Sequence, residues 1–208
     1  MFQLLLKGGP IMFFLLGCSF LGVYITFQKL LYLKANNVNA TPYLTHVKKS
    51  LQKNGKELTI NQLKLDKTLM SQIMSDAITA SEYEKEDAER ILESKIEKSL
   101  IPLDSNMTLL TTLITVSPIL GLMGTVLGLI DIFNVISGGN LGDAMALSGG
   151  IAKALLTTMM GLMIAIPLIF IHHFLSKKIS LFINDIETNA FDILSFCKNK
   201  KDVTAILN

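Results

Sequence analysis

Apolar residues in this chain gather into long runs separated by one extended polar stretch. The first run, Gly8 to Gln28, carries no charge and reaches the roughly 20 helical residues needed to cross a hydrocarbon core. Gly8-Gly9-Pro10 opens it, with proline where a first turn tolerates it, and Lys29 and Lys34 close it. The second, Met107 to Ile130, is uncharged over about 36 Å of helix. Pro118 interrupts it, which a membrane bundle tolerates because neighbours re-satisfy the freed backbone groups. The third, Ala144 to Ile171, holds one charge, Lys153, and ends at His172, His173, Lys177 and Lys178. Between the second and third, Ser137-Gly-Gly-Asn140 with Gly142-Asp143 reads as a tight loop.

The polar stretch, Ala35 to Asp104, alternates acid and base and reads as helical. Asn36, Asn37, Asn39 and Pro42 mark a break after the first run. Leu44, Val47 and Leu51 form a short amphipathic helix, Lys53-Asn-Gly-Lys56 a turn, and Leu63 to Ala80 a second amphipathic segment. From Ser81 to Leu100 charges fall at helical spacing, with Tyr83, Ala88, Ile91 or Leu92, Ile96 and Leu100 available as one apolar stripe. The tail from Ser180 repeats the pattern through Leu181, Ile183, Ile186, Ala190, Ile193 and Leu194, and Lys198, Lys200 and Lys201 follow. The predicted fold class is therefore an all-α membrane protein with three transmembrane helices and long helical extensions. Its divisions are residues 1–34, 35–105, 106–136, 137–143, 144–175 and 176–208.

Composition agrees: 50% of the 208 residues are hydrophobic, and mean hydropathy is +0.47. A net charge of +2 gives no reason to invoke nucleic acid. The two cysteines, Cys18 and Cys197, offer neither a metal spacing nor a disulfide framework, and no cofactor motif or nucleophile–base constellation stands out. The reading is thus not an enzyme. Leu15-Leu-Gly-Cys18 loosely resembles a lipobox, but no small-x-small cleavage site follows the first run, so a retained span is expected. Lys29, Lys34, Lys177 and Lys178 lie on one side of the spans and only Lys7 on the other, beside a loop without Lys or Arg. The excess of lysine places the polar domain and tail in the cytoplasm, and the N-terminus and the loop outside.

Polar groups inside the spans are costly and therefore informative. Lys153 lies about 15 Å down its helix from Asp143, deep for simple snorkelling. Two readings stand: an ion pair with Asp131 across the hairpin, or a place on a wet lumen facing a partner's carboxylate. Thr157 shares the face of Lys153; Thr158 lies about 140° round, so an ideal helix cannot aim both Lys153 and Thr158 at one narrow lumen. Any single membrane threonine can simply bond its own i−4 carbonyl. Adjacent His172 and His173 diverge by about 100° and cannot chelate one metal, so they read as interfacial, with a proton exit as the alternative.

Ser117 to Gly128, SPILGLMGTVLG, is the most distinctive stretch. Gly121, Thr125 and Gly128 fall at i, i+4, i+7, and Gly124 with Gly128 makes a GxxxG. In water so many glycines weaken a helix by about 1 kcal/mol each, whereas in lipid they let backbones approach closely. The expected packing seam is Gly121, Gly124, Gly128 and Pro118; a case for function rests on Thr125 and Thr158 together, each set among small residues, with Lys153 and Thr157 as the further polar candidates on the third run.

Pro118-ILGLMGTVL-Gly128 and Gly149-GIAKALLTTMMGLMIAI-Pro167 together resemble the core of the ExbB/TolQ/MotA proton-channel family, nearest its ExbB members. The similarity runs over about Leu109 to Leu175, and Lys7-GGPI-Met12 is similar to short ExbB-type N-termini. The resemblance implies a pentamer of three-span subunits in the bacterial inner membrane, with ExbD-like single-span subunits threading its lumen. Proton flow would drive one ring against the other and pass work to a TonB-like protein; TolQ-like envelope maintenance, a motility stator or a non-conducting scaffold are the alternatives. In the family the titrating aspartate belongs to the partner, and the pore threonines map onto Thr125 and Thr158. A glutamate common in ExbB falls at Lys153, which here implies a positive ring that would attract the partner's aspartate and lower its pKa.

Overall fold

The computed structural model describes residues 8–36, 40–66, 68–138 and 144–206, and every regular element among them is helical. Lys7, Asn37, Asn39 and the Gly139–Asp143 part of the predicted loop lie outside the described residues. The helices are α1 (Ile11–Ala35), α2 (Ala40–Leu65), α3 (Leu69–Ala80), α4 (Lys85–Ser137) and α5 (Ala144–Ile206). Three segments are long and apolar enough to cross a membrane: Ile11–Ala35, Ser105–Ser137 and Leu147–Asn199. The chain divides into two units, one of Met1–Lys29 with Asn106–Leu175, the other of Leu30–Ser105 with Ser176–Asn208.

In the first unit the three apolar segments pack along one side each. α1 buries Ile11, Met12, Leu15, Gly22 and Ile25, a single helical stripe, while Phe13, Phe14, Phe20, Tyr24 and Phe27 stay exposed on the other side. Ile11, Met12 and Leu15 pack against Leu120 and Leu127 of α4 and Leu156, Met160 and Ile164 of α5. Gly22 lets α1 approach Leu168, whose branched end would lie 2.8 Å from any Cβ placed there. Toward the end of the unit where α1 closes, the Asn106 side chain donates to Gln28 Oε1 at 2.8 Å. The outward phenylalanines suit lipid or another subunit, since hydrocarbon charges nothing for apolar exposure.

The second unit is a helical domain with its own buried residues. α3 buries nine of its 12 residues, including Met70, Ile73, Met74 and Ile78, and Val47, Leu51, Leu92, Ile96, Ile186 and Ile193 are buried as well. The predicted turn at Asn54-Gly55 is a sharp kink in α2: Gly55 adopts φ 78°, a left-handed conformation that favours glycine. The kink folds α2 back on itself, so that Ser50 Oγ donates to Gln62 Oε1 at 2.9 Å. The amphipathic pattern of Leu63–Ala80 is broken, however, after Leu65. Thr68 stops one helix and starts the next, its hydroxyl accepting from Ser71 N at 3.3 Å. The charged stripe on α4 resolves to Ala88, Leu92, Ile96 and Leu100; Tyr83 precedes the helix and is exposed. On α5 Ile179 takes the buried place that Leu181 was expected to hold. Ion pairs Lys95–Asp76 (2.6 Å) and Lys48–Asp192 (2.7 Å) lie on the rim, where exposure makes each worth little more than about 1 kcal/mol.

Candidate functional site

The glycine-rich part of α4 meets α5 of the same chain. The two helices run antiparallel, and small residues face each other along four successive contacts. A Cβ on Gly128 would lie 2.8 Å from Ala154 Cβ and from the Gly150 carbonyl; one on Gly121 would lie 3.1 Å from Thr158 Cα. One on Gly161 would lie 2.6 Å from the Ser117 carbonyl, and one on Gly124 would overlap the Thr157 side chain. The buried members of the α4 seam are therefore Gly121, Gly124 and Gly128, with Pro118 half-buried beside them. Thr125 is only half-buried and leaves the seam, its hydroxyl donating to Leu122 O at 2.7 Å. The opposite wall, Gly150, Ala154, Thr157 and Gly161, repeats at i, i+4, i+7, i+11. That spacing was available in the sequence as the complementary seam.

The four polar candidates separate. Thr157 is fully buried, donates to Ala154 O at 2.8 Å and fills the space over Gly124. Thr158 reaches across the hairpin and donates to the Gly121 carbonyl at 3.2 Å. Lys153 Nζ lies 2.7 Å from Asp131 Oδ2, joining α5 to the last turns of α4. The Lys153 stem also passes Gly9, where a Cβ would sit 2.9 Å from its Cε, so the same ammonium marks the meeting of all three spans. Thr125 stands apart from this network.

The other end of the hairpin carries a contact that pattern reading passed over. Thr111 Oγ1 and His172 Nε2 are 3.0 Å apart, between α4 and α5. Both residues are visible as polar positions within or at the edge of apolar runs, yet only the antiparallel register brings them together. Among the described residues no group of three or more His, Cys, Asp or Glu is placed to hold a metal ion. An open groove of about 710 Å³ lies in the second unit, lined by Tyr83, Glu84, Lys85, Leu194 and Lys198 among others. Its charges are mixed in sign; the membrane hairpin, with its ionised and hydroxyl groups among apolar residues, is the better candidate.

A helix hairpin sealed by glycine, set in a three-span unit and carrying hydroxyls and one ion pair, defines a polytopic α-helical membrane protein with polar groups among its spans. Residues 61–188 match the MotA/TolQ/ExbB proton channel family, and the chain belongs to that family. It is 33% identical to biopolymer transport protein ExbB-like 3 of Synechocystis sp. over 85% of this chain and 86% of that one. It is 28% identical to a biopolymer transport protein ExbB homologue of Methanothermobacter thermautotrophicus over 87% of this chain, and spans 64% of that protein. Against biopolymer transport protein ExbB of Xanthomonas campestris pv. campestris, identity is 32% over 59% of this chain and 47% of the relative. This is thus a membrane protein of the proton-channel, stator-subunit type.

Proposed function

We propose that the chain is the channel subunit of an inner-membrane motor driven by the proton-motive force, of the ExbB–ExbD type, which energises TonB-dependent transport across the outer membrane. Several copies, five by resemblance, surround a lumen that holds a single-span partner with a membrane carboxylate. The lumen takes its hydroxyls from Thr125 and Thr158, while Lys153 and Thr157 stand one helix face away. The N-terminus and the loop after Ser137 face outward, and the second unit lies in the cytoplasm.

One observation carries the need for a partner. Between Ser105 and Ile130 α4 has no ionisable side chain, and the carboxylate just beyond, Asp131, is already held by Lys153. A proton relay needs a carboxylate whose charge can come and go within the membrane, so a second protein must supply it. With Asp131 beside it, Lys153 supplies no net positive ring; it becomes a local clamp.

The test is copurification in mild detergent followed by reconstitution. A small single-span protein with a membrane Asp is expected to travel with the chain, and vesicles holding both are expected to conduct protons. Thr125→Val, which keeps shape and removes the hydroxyl, should cut that flux about tenfold or more without dissolving the complex. A stable monomer with no partner and no flux would instead indicate a scaffold.

A further inference from the structure

We propose that His172, held by Thr111, is a proton-accepting relay at the tail end of the α4–α5 hairpin, passing protons between the Thr125 face and the water beyond Ser105. The inference rests on the proton-channel reading above and assigns a residue within it. Thr111 lies six residues inside the apolar span that begins at Ser105, about 9 Å along the helix, and the imidazole it meets stands at the end of the third apolar run. Thr111, Pro118 and Thr125 recur every seventh residue, which keeps them within about 20° per step of one face of α4. From Thr125 to Thr111 that face runs about 21 Å. Midway, Pro118 has no N–H to give the Ile114 carbonyl, which leaves an acceptor there. Thr108, Thr112 and Thr115 are exposed beside Thr111, so this half of α4 is more hydroxylated than any lipid-facing surface requires.

The hydrogen bonds define the chemistry of the imidazole. Thr111 has one hydroxyl proton, and it donates that proton to Met107 O at 3.1 Å. In that arrangement its oxygen accepts from His172, Nε2 carries the hydrogen and Nδ1 keeps its lone pair; the 3.0 Å contact admits the opposite tautomer as well, and the relay uses this one. A proton arriving by water or from the partner's carboxylate binds Nδ1 and forms imidazolium. Water beyond the hairpin takes the same proton from Nδ1, and the neutral ring is restored; only N–H and O–H bonds form and break. Ionisable neighbours are few. His173 stands edge-on with ring centroids 5.9 Å apart, α1 brings buried Lys29 to this end of the unit, and Lys177 and Lys178 follow on α5. From Ser105 to Ile130 the sequence of α4 holds no charged residue.

The test uses the full chain with its copurified partner in vesicles that trap a pH-sensitive dye. His172→Gln keeps a donor for Thr111 and cannot cycle a proton; flux is expected to fall at least about tenfold with the complex intact by size. His172→Ala is expected to lose flux likewise and to regain part of it when free imidazole is added, which a packing role would not produce. His172→Gln conducting like the wild type would overturn the relay, as would His172→Ala that imidazole leaves unrestored. A wild-type complex that does not conduct would instead overturn the proton-channel reading itself, and the relay with it.

Discussion

At the scale of single residues, the glycine seam works by what is missing. Gly124 faces Thr157, a fully buried threonine whose side chain occupies the volume a methyl group would need. Gly124→Ala should therefore force the helices apart and lower stability by about 1–3 kcal/mol, read as a drop in the thermal unfolding midpoint in detergent. Gly17 is the control: nothing lies within 4 Å of a Cβ placed on it, so Gly17→Ala should be neutral or stabilise by up to about 1 kcal/mol through helix propensity. Composition alone marked Gly121, Gly124 and Gly128 as a close-packing surface. It did not say that the surface would meet α5 of the same chain, because sequence spacing names a face and not its occupant. Thr125 shows the limit well. It falls near the seam by periodicity, yet Gly124 takes the buried place, since only a residue without Cβ fits over Thr157.

At the scale of elements, helix existence was legible and helix ends were less so. Leu63–Ala80 looks continuous by apolar periodicity, but Asp66 and Thr68 compete for backbone donors and divide it. Asp66 Oδ1 accepts from Thr68 N at 3.3 Å, and Thr68 then caps α3. The same carboxylate accepts from the Tyr43 hydroxyl at 3.1 Å, which ties the start of α2 to the α2–α3 corner. Asn36 adds a second tie, its Oδ1 accepting from Leu69 N at 3.0 Å. Burial of the phenol, together with the charge of Asp66 and the hydrogen bond to it, pushes Tyr43 up from 10.0 to about 12. Between those values the native protein keeps a proton that the unfolded chain has released. The contribution is therefore complete below about pH 10 and disappears as the pH rises through 12. Alkaline titration of phenolate absorbance should show one late tyrosine in the wild type. Tyr43→Phe should remove that step, and Asp66→Asn should bring it to lower pH.

At the scale of the whole molecule, the proposed arrangement across the membrane rests on three spans and a lysine asymmetry. Helix lengths were readable because hydrocarbon thickness sets them, and the family was readable because its paired small-residue motifs lie on the two helices of one hairpin. The Lys153–Asp131 pairing was open until the hairpin register brought the two groups within 2.7 Å. Orientation rests on charge: lysines close the tail end of α1 and follow the third span, whereas residues 131–138 at the other end bring only Asp131. Cysteine labelling tests this directly in a background where Cys18 and Cys197 are serine. Ser137→Cys, exposed at the end of α4, should react with a membrane-impermeant maleimide in intact spheroplasts. Ser195→Cys, exposed on the tail part of α5, should react only after the membrane is opened. The reverse order would place Thr111 and His172 at the outer surface. Protons moving down their gradient would then meet His172 before Thr125, making it the entry to the path in place of its exit.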